Sequence, residues 1–169
     1  MFAPILGTVM PDSLTDRAED TFWSRHANPK SGWSRVPTGP VLMYAVYRRN
    51  WRLLLAGLAW AALNPFLFPP PESEDAWMTR AVLAERWWVR EKHNSTVGLG
   101  YPNVCNTAGA LAFCYALYAA VRRRPVGTTL ATATAVALKF WWLRVLVRRY
   151  DDRPYVFDPE YERKTRMAT

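Results

Sequence analysis

The stretch that decides the fold is "VCNTAGALAFCYALYAAV", Val104 to Val121, with Arg122, Arg123 and Arg124 directly after it. A helix of 18 uncharged residues rises about 27 Å at ~1.5 Å per residue, close to the ~30 Å of a hydrocarbon core. A charge-free run closed by a cluster of arginines reads as a membrane span ending at a water interface.

Working outward, three further apolar segments appear. Val126 to Val147, "VGTTLATATAVALKFWWLRVLV", is long enough to span, and it carries Lys139 and Arg144 beside the Trp141–Trp142 pair, where an aromatic belt suits snorkelling cations. Leu53 to Phe68, "LLLAGLAWAALNPFLF", is about 24 Å as a helix and reaches full thickness with Trp51 and Pro69 included. Val36 to Tyr47 is too short to cross unless the helix continues through a snorkelling Arg48 and Arg49. The expectation is an all-α fold: a small polytopic membrane bundle of three firm transmembrane helices plus a shorter first one, arranged as two helical hairpins.

Between the second and third segments lies "PPPESEDAWMTRAVLAERWWVREKHNSTVGLGYPN". Three prolines stop the preceding helix, Ser73 can cap a new one with Glu74 and Asp75 in its first turn, and "HNSTVGLGYPN" breaks it again. This predicts an interfacial helix over 73–92. The apolar residues are not confined to one of its faces, so it should touch both lipid and bundle. The organisation expected is an N-terminal amphipathic or interfacial segment over 1–35, a membrane helical domain over 36–150, and a polar C-terminal tail over 151–169. Within the first segment, Ser13 is a plausible N-cap for a helix with Leu14, Ala18 and Phe22 along one face, and Pro29 ends it, placing His26 at its C-terminal end.

Composition agrees with that layout. The 169 residues are half apolar and include nine Trp, yet mean hydropathy is −0.16, so long apolar blocks alternate with strongly charged ones. The net charge of +8 sits in short clusters beside the apolar runs, "YRRNWR", "VRRRP" and "LVRRYDDR", as juxtamembrane cations do, and nucleic acid is not an expected partner. Cys105 and Cys114, nine residues apart on one predicted helix, would be separated by about 13 Å along its axis, too far for a disulfide. The N-terminus "MFAPILGTVMPDS" lacks a basic region and a cleavage pattern, so no removable signal is read there. Small residues recur every four positions at Ala108, Ala112, Ala116 and Ala120, at Gly57 and Ala61, and at Thr128 and Thr132, the spacing of closely packed membrane helices.

Candidate functional residues gather in two places. "FWSRHANPKSGWSRVPTGP", Phe22 to Pro40, sets His26 among Arg25, Asn28 and Arg35, and the end of the predicted interfacial helix supplies Arg90, His93 and Asn94. The two clusters have similar chemistry and could face one another as a polar ligand-binding site. The competing reading is an anchor, because Trp, Arg and Lys collect at any membrane–water interface while Asn-Pro and Asn-Ser form turns. With only two histidines, no metal site and no cofactor are expected; two axial histidines holding a haem are the sole variant with any material support. No nucleophile elbow occurs, no catalytic residue can be named, and "NST" at Asn94 to Thr96 is a glycosylation acceptor only on an outside face.

Three stretches together, "FWSRHANPKSGWSRVPTGP", "LNPFLFPPPESEDAW" and "AVLAERWW", resemble an uncharacterised family of small integral membrane proteins, and the similarity continues through "LKFWWLRVLVRRYDD" to cover roughly residues 20 to 152. The chain departs from that family's pattern at Ala84, where a glycine precedes the Glu-Arg pair, and at Arg144, where an acidic residue follows the aromatic run. The resemblance implies a membrane fold and no reaction. The function expected is a non-catalytic, multi-pass module of the cell membrane, associating with lipid, another membrane protein or a second copy of itself. The alternative is a small membrane enzyme or lipophilic-ligand binder built around His26 and His93. Arg48, Arg49 and Arg52 with Arg122 to Arg124 favour cytoplasmic turns, against the cytoplasmic termini that the basic tail favours.

Overall fold

The computed structural model describes residues 21–153. The predicted Ser13 cap and most of the first amphipathic helix, together with the tail beyond residue 153, lie outside the described residues. Residues 21–26 are helical and end at His26. Six helices follow: α1 (Pro29–Arg35), α2 (Thr38–Arg48), α3 (Trp51–Leu67), α4 (Trp77–Arg90), α5 (Asn103–Val121) and α6 (Pro125–Asp151). The fold is all-helical, with no strand among the described residues.

The chain punctuates itself with the expected chemistry. Asn28 caps α1 by accepting from Lys30 N at 2.8 Å, with Pro29 at the first helical position. Arg49 turns left-handed at φ 55°, and the next residue, Asn50, caps α3 through Leu53 N at 3.0 Å. Arg123 at φ 52° makes the second tight reversal before Pro125 opens α6. Two helical hairpins result, α2 with α3 and α5 with α6, and the second is the more extensively packed. Arg49 also donates from Nη2 to Val121 O at 3.1 Å, so the two arginine-rich turns lie side by side at one end of the molecule.

Among the described residues two helices, not three, are long and apolar enough to cross a membrane: α5 with 19 residues and α6 with 27. The third expected span, α3, is apolar but stops at 17 residues, because Phe68 turns extended ahead of the proline run. α2 has 11 residues, about 17 Å at ~1.5 Å each, too short for a full crossing. The helix predicted over 73–92 begins at Trp77; Ser73 instead accepts from Asp75 N at 3.4 Å in a local turn.

Packing inverts the usual arrangement of a small helical protein. The least apolar of the long elements, α4, has no exposed residue before its last, Arg90, and its Met78, Ala81, Ala84, Trp87 and Trp88 form the main core with Trp142, Leu143, Leu146 and Val147 of α6. The apolar helices α3 and α5 turn large side chains outward: Leu55 is 67% exposed and Leu111 68%. Their inward faces are small. Ala116, Ala119 and Ala120 are fully buried on α5, and a Cβ on Gly109 would lie 3.4 Å from Leu138 Cβ and 3.5 Å from Ala135 O. Thr128 and Thr132 are buried too, whereas Ala61 faces outward and does not extend Gly57 into a packed stripe. Trp142, expected in an aromatic belt beside Trp141, is wholly buried; Trp141 alone is exposed.

Candidate functional site

The two segments of the N-terminal half that are richest in Asn and Pro are docked on each other. Asn28 Nδ2 donates to Pro69 O at 2.9 Å and Arg25 Nη1 to Phe66 O at 3.0 Å, which satisfies carbonyls at and beyond the C-terminal end of α3. Ser31 Oγ donates to Asn64 Oδ1, Asn64 Nδ2 donates to Ser34 Oγ at 2.9 Å, and Trp60 Nε1 donates to Ser34 O at 3.2 Å. These bonds hold α1 across the end of α3. On its other side α1 meets α4 closely, since a Cβ on Gly32 would come within 2.1 Å of Met78 Cγ.

That placement carries His26 and Arg35 to the mouth of a cavity of about 520 Å³. Small residues make the space: Gly32, Ala81, Gly109, Ala110 and Ala135 come from four helices and leave room between them. Its polar lining is His26, Arg35, Glu85, Asn106 and Lys139. Arg35 reaches both ring nitrogens of His26 with Nη1, and it donates from Nη2 to His26 O at 3.3 Å and from Nε to Ser31 O at 3.2 Å. Lys139 Nζ lies 3.3 Å from Glu85 Oε1 and 4.2 Å from the centroid of the Trp142 ring, so this cation turns into the bundle rather than snorkelling along its surface. Asn106 Nδ2 is held by Thr96 O at 2.9 Å. Phe140 closes one side within a stack of aromatic rings, 6.1 Å from Trp33 and 5.9 Å from Trp77.

Electrostatics set the protonation of this group. Burial, then the neighbouring Arg35 and Lys139, lower His26 from 6.5 to about 4, so the imidazole is neutral at physiological pH. The C-terminal helix dipole would favour the opposite, and burial beside two cations outweighs it. Burial also lowers Arg35, a shift opposed by the Glu85 carboxylate. Two cations and one carboxylate therefore face the space, leaving it one positive charge in excess. Among the described residues no three His, Cys, Asp or Glu side chains gather as a metal site requires.

Of the sequence-predicted residues, His26 and Arg35 line the cavity, while Arg25 and Asn28 hold the segment that carries them. The second cluster lies elsewhere. His93 sits exposed at φ 50° just after α4, Asn94 N bonds Trp88 O at 3.1 Å, Arg90 ends α4 exposed, and none of the three lines the cavity. Sequence reasoning missed Glu85, Asn106 and Lys139. Lys139 carried a usable signal, because a cation inside an apolar run is expected to have a partner, and Glu85 on the adjoining amphipathic helix is that partner.

No curated protein and no solved structure matches this chain. A family model does match, over residues 14–165, a range that includes the docked Asn-Pro segments, every polar residue of the cavity and all six helices. The chain belongs to the family described as "Family of unknown function (DUF6653)".

Proposed function

We propose that this protein is a multi-pass protein of the cell membrane that binds, without chemical conversion, a ligand carrying an anionic group in the cavity formed by His26, Arg35, Glu85 and Lys139. The two apolar helices α5 and α6 support the membrane setting, together with the large side chains that α3 and α5 turn outward and the basic clusters at the hairpin turns. The observation that carries the ligand is the excess of one positive charge facing a cavity of about 520 Å³ in a bundle whose helices α3 and α5 turn apolar side chains outward. Ionisable groups turned into such a bundle mark ligand or ion sites.

Binding is favoured over catalysis by His26 itself. A general base works best with a pKa near the operating pH, and His26 at about 4 is a weak base there. Its fixed contact with Arg35 suits it to orienting that guanidinium.

Two measurements test the reading. Alkaline carbonate extraction should leave the protein in the membrane fraction, and recovery in the soluble fraction overturns the membrane assignment. In non-ionic detergent, butyrate should raise the unfolding temperature of the wild-type protein and leave Arg35→Gln and Lys139→Gln unshifted; a wild-type protein indifferent to butyrate overturns the anion site.

A further inference from the structure

A second cavity, of about 580 Å³, continues the first along the same helix. It lies between α2, which contributes Met43, Tyr44 and Tyr47, and the first half of α6, which contributes Thr129 and Ala133. Val136 lines both cavities. Among the α6 positions that line them, Pro125, Thr129, Thr132, Val136, Lys139 and Leu143 recur every three or four residues and so run along one face of the helix as a stripe, widened by neighbours such as Ala133 and Ala137.

The two ends of that stripe differ in chemistry. Toward the start of α6 the wall is mostly apolar, and the hydroxyls of Thr128 and Thr132 are spent on the helix itself: Thr128 Oγ1 donates to Arg124 O at 2.8 Å and Thr132 Oγ1 to Thr128 O at 2.7 Å. Beyond Val136 the stripe enters the cavity that holds Arg35, Glu85 and Lys139. From Lys139 back to Pro125 the helix rises about 21 Å at ~1.5 Å per residue, longer than the roughly 15 Å of half a hydrocarbon core.

We propose that the ligand is a single-chain amphiphile with a monoanionic head, of the long-chain carboxylate class, its head beside Arg35 and Lys139 and its tail along the α6 groove toward Pro125. The proposal rests on the anion site argued above and adds the tail. One net positive charge matches one negative head, and the groove along α6 leads away from it. A partner protein's helix would need a wide apolar face and would have no use for cations lining a cavity between helices, whereas an acyl chain fills a narrow groove and delivers its charge at one end.

The test uses the full chain in vesicles of zwitterionic phosphatidylcholine with a palmitate analogue bearing a diazirine at mid-chain. Photocrosslinks should map to residues 125–137 and to Tyr44 or Tyr47, fall at least fivefold with excess palmitate, and fall similarly in Ala133→Phe and Ala137→Phe, two outward-facing positions where a larger side chain fills the groove without entering the core. Crosslinks spread evenly over the outer faces of α3 and α5 and indifferent to palmitate would overturn the tail placement, while a retained butyrate shift would keep the anion site. Competition by hexadecanol equal to that by palmitate would overturn the anionic head, and equal competition by phosphatidic acid would overturn the single chain. Loss of the butyrate shift together with the crosslinks would remove both readings.

Discussion

Ser31 Oγ donates to Asn64 Oδ1 across 2.7 Å, and neither side chain reaches solvent. The pair joins the short helix α1, which carries Arg35, to the last full turn of α3. Replacing Asn64 with Leu removes the acceptor of the buried Ser31 hydroxyl and a donor to the half-buried Ser34, and leaving a buried hydroxyl such as that of Ser31 unpaired costs about 1–3 kcal/mol. Thermal unfolding in detergent should show that loss for Asn64→Leu and a smaller one for Asn64→Gln; equal and negligible effects would mean that the two helices are held otherwise.

The close contact of α1 with α4 gives a sharper steric expectation. In Gly32→Ala the new methyl would meet Met78 at 2.1 Å, so one helix must move or the Met side chain must leave its rotamer. Overpacking of this kind costs about 1–3 kcal/mol. The double variant Gly32→Ala/Met78→Ala should recover part of the loss, and failure to recover any would place the damage in the helix backbone instead.

A pH dependence follows from His26. Its folded pKa of about 4 lies below the 6.5 of an unfolded chain, so between those values the unfolded state takes up a proton that the folded state refuses. The contribution is present in full above pH 6.5 and is lost as pH falls toward 4. Unfolding temperatures should therefore decline over that window more steeply for the wild-type protein than for His26→Gln, and parallel profiles would contradict the burial of the ring.

Glu85 and Lys139 supply an electrostatic test. Their pair is partly open to the cavity, with side chains 25% and 43% exposed, so its coupling should be about 1 kcal/mol rather than that of a sealed ion pair. Glu85→Gln, Lys139→Met and the double variant form a cycle in which the double variant is more stable than the sum of the single losses predicts. Strict additivity would show that the two charges do not act on each other.

Between α5 and its neighbours, size should matter more than hydrophobicity. Ala116→Leu introduces a larger side chain at a fully buried position against Met43 and Ala131, while Leu111→Ala trims a side chain that is already outside. The first should lower the unfolding temperature and the second should barely change it. The reverse order would rotate α5 in the bundle.

The long apolar helices of this protein are legible in its sequence, and some ends carry strong local preferences: Pro29 and Pro125 at helix starts, Asn28 and Asn50 as caps, Arg49 and Arg123 in reversals. Helix α1 is not legible, because Pro29 reads as a stop and instead opens it, and α4 starts without a side-chain cap. The cavity is not written that way. His26, Glu85 and Lys139 come from segments with no local relation, and Glu85 and Lys139 are 54 residues apart. Composition also misled in one direction. The Trp-rich end of α4 has the chemistry of a membrane interface and is in fact core, because its rings pack against Trp142, Leu146 and Tyr150 of α6. His93 and Arg90 share the composition of the His26 cluster but follow the helix out of the bundle, and only the three-dimensional path separates the two groups.

The order in which the chain is made gives the pairing of Glu85 with Lys139 a temporal meaning. Glu85 is synthesised before α6, so the carboxylate is already in the chain when the helix carrying Lys139 emerges. Once the charges meet, moving Lys139 away from Glu85 would strip it of its counter-ion, so the pair adds a modest bias toward the closed α5–α6 hairpin. A chain arrested before Lys139 would lack that partner as well as the α6 wall of the cavity, leaving Glu85 an acidic group without its cation.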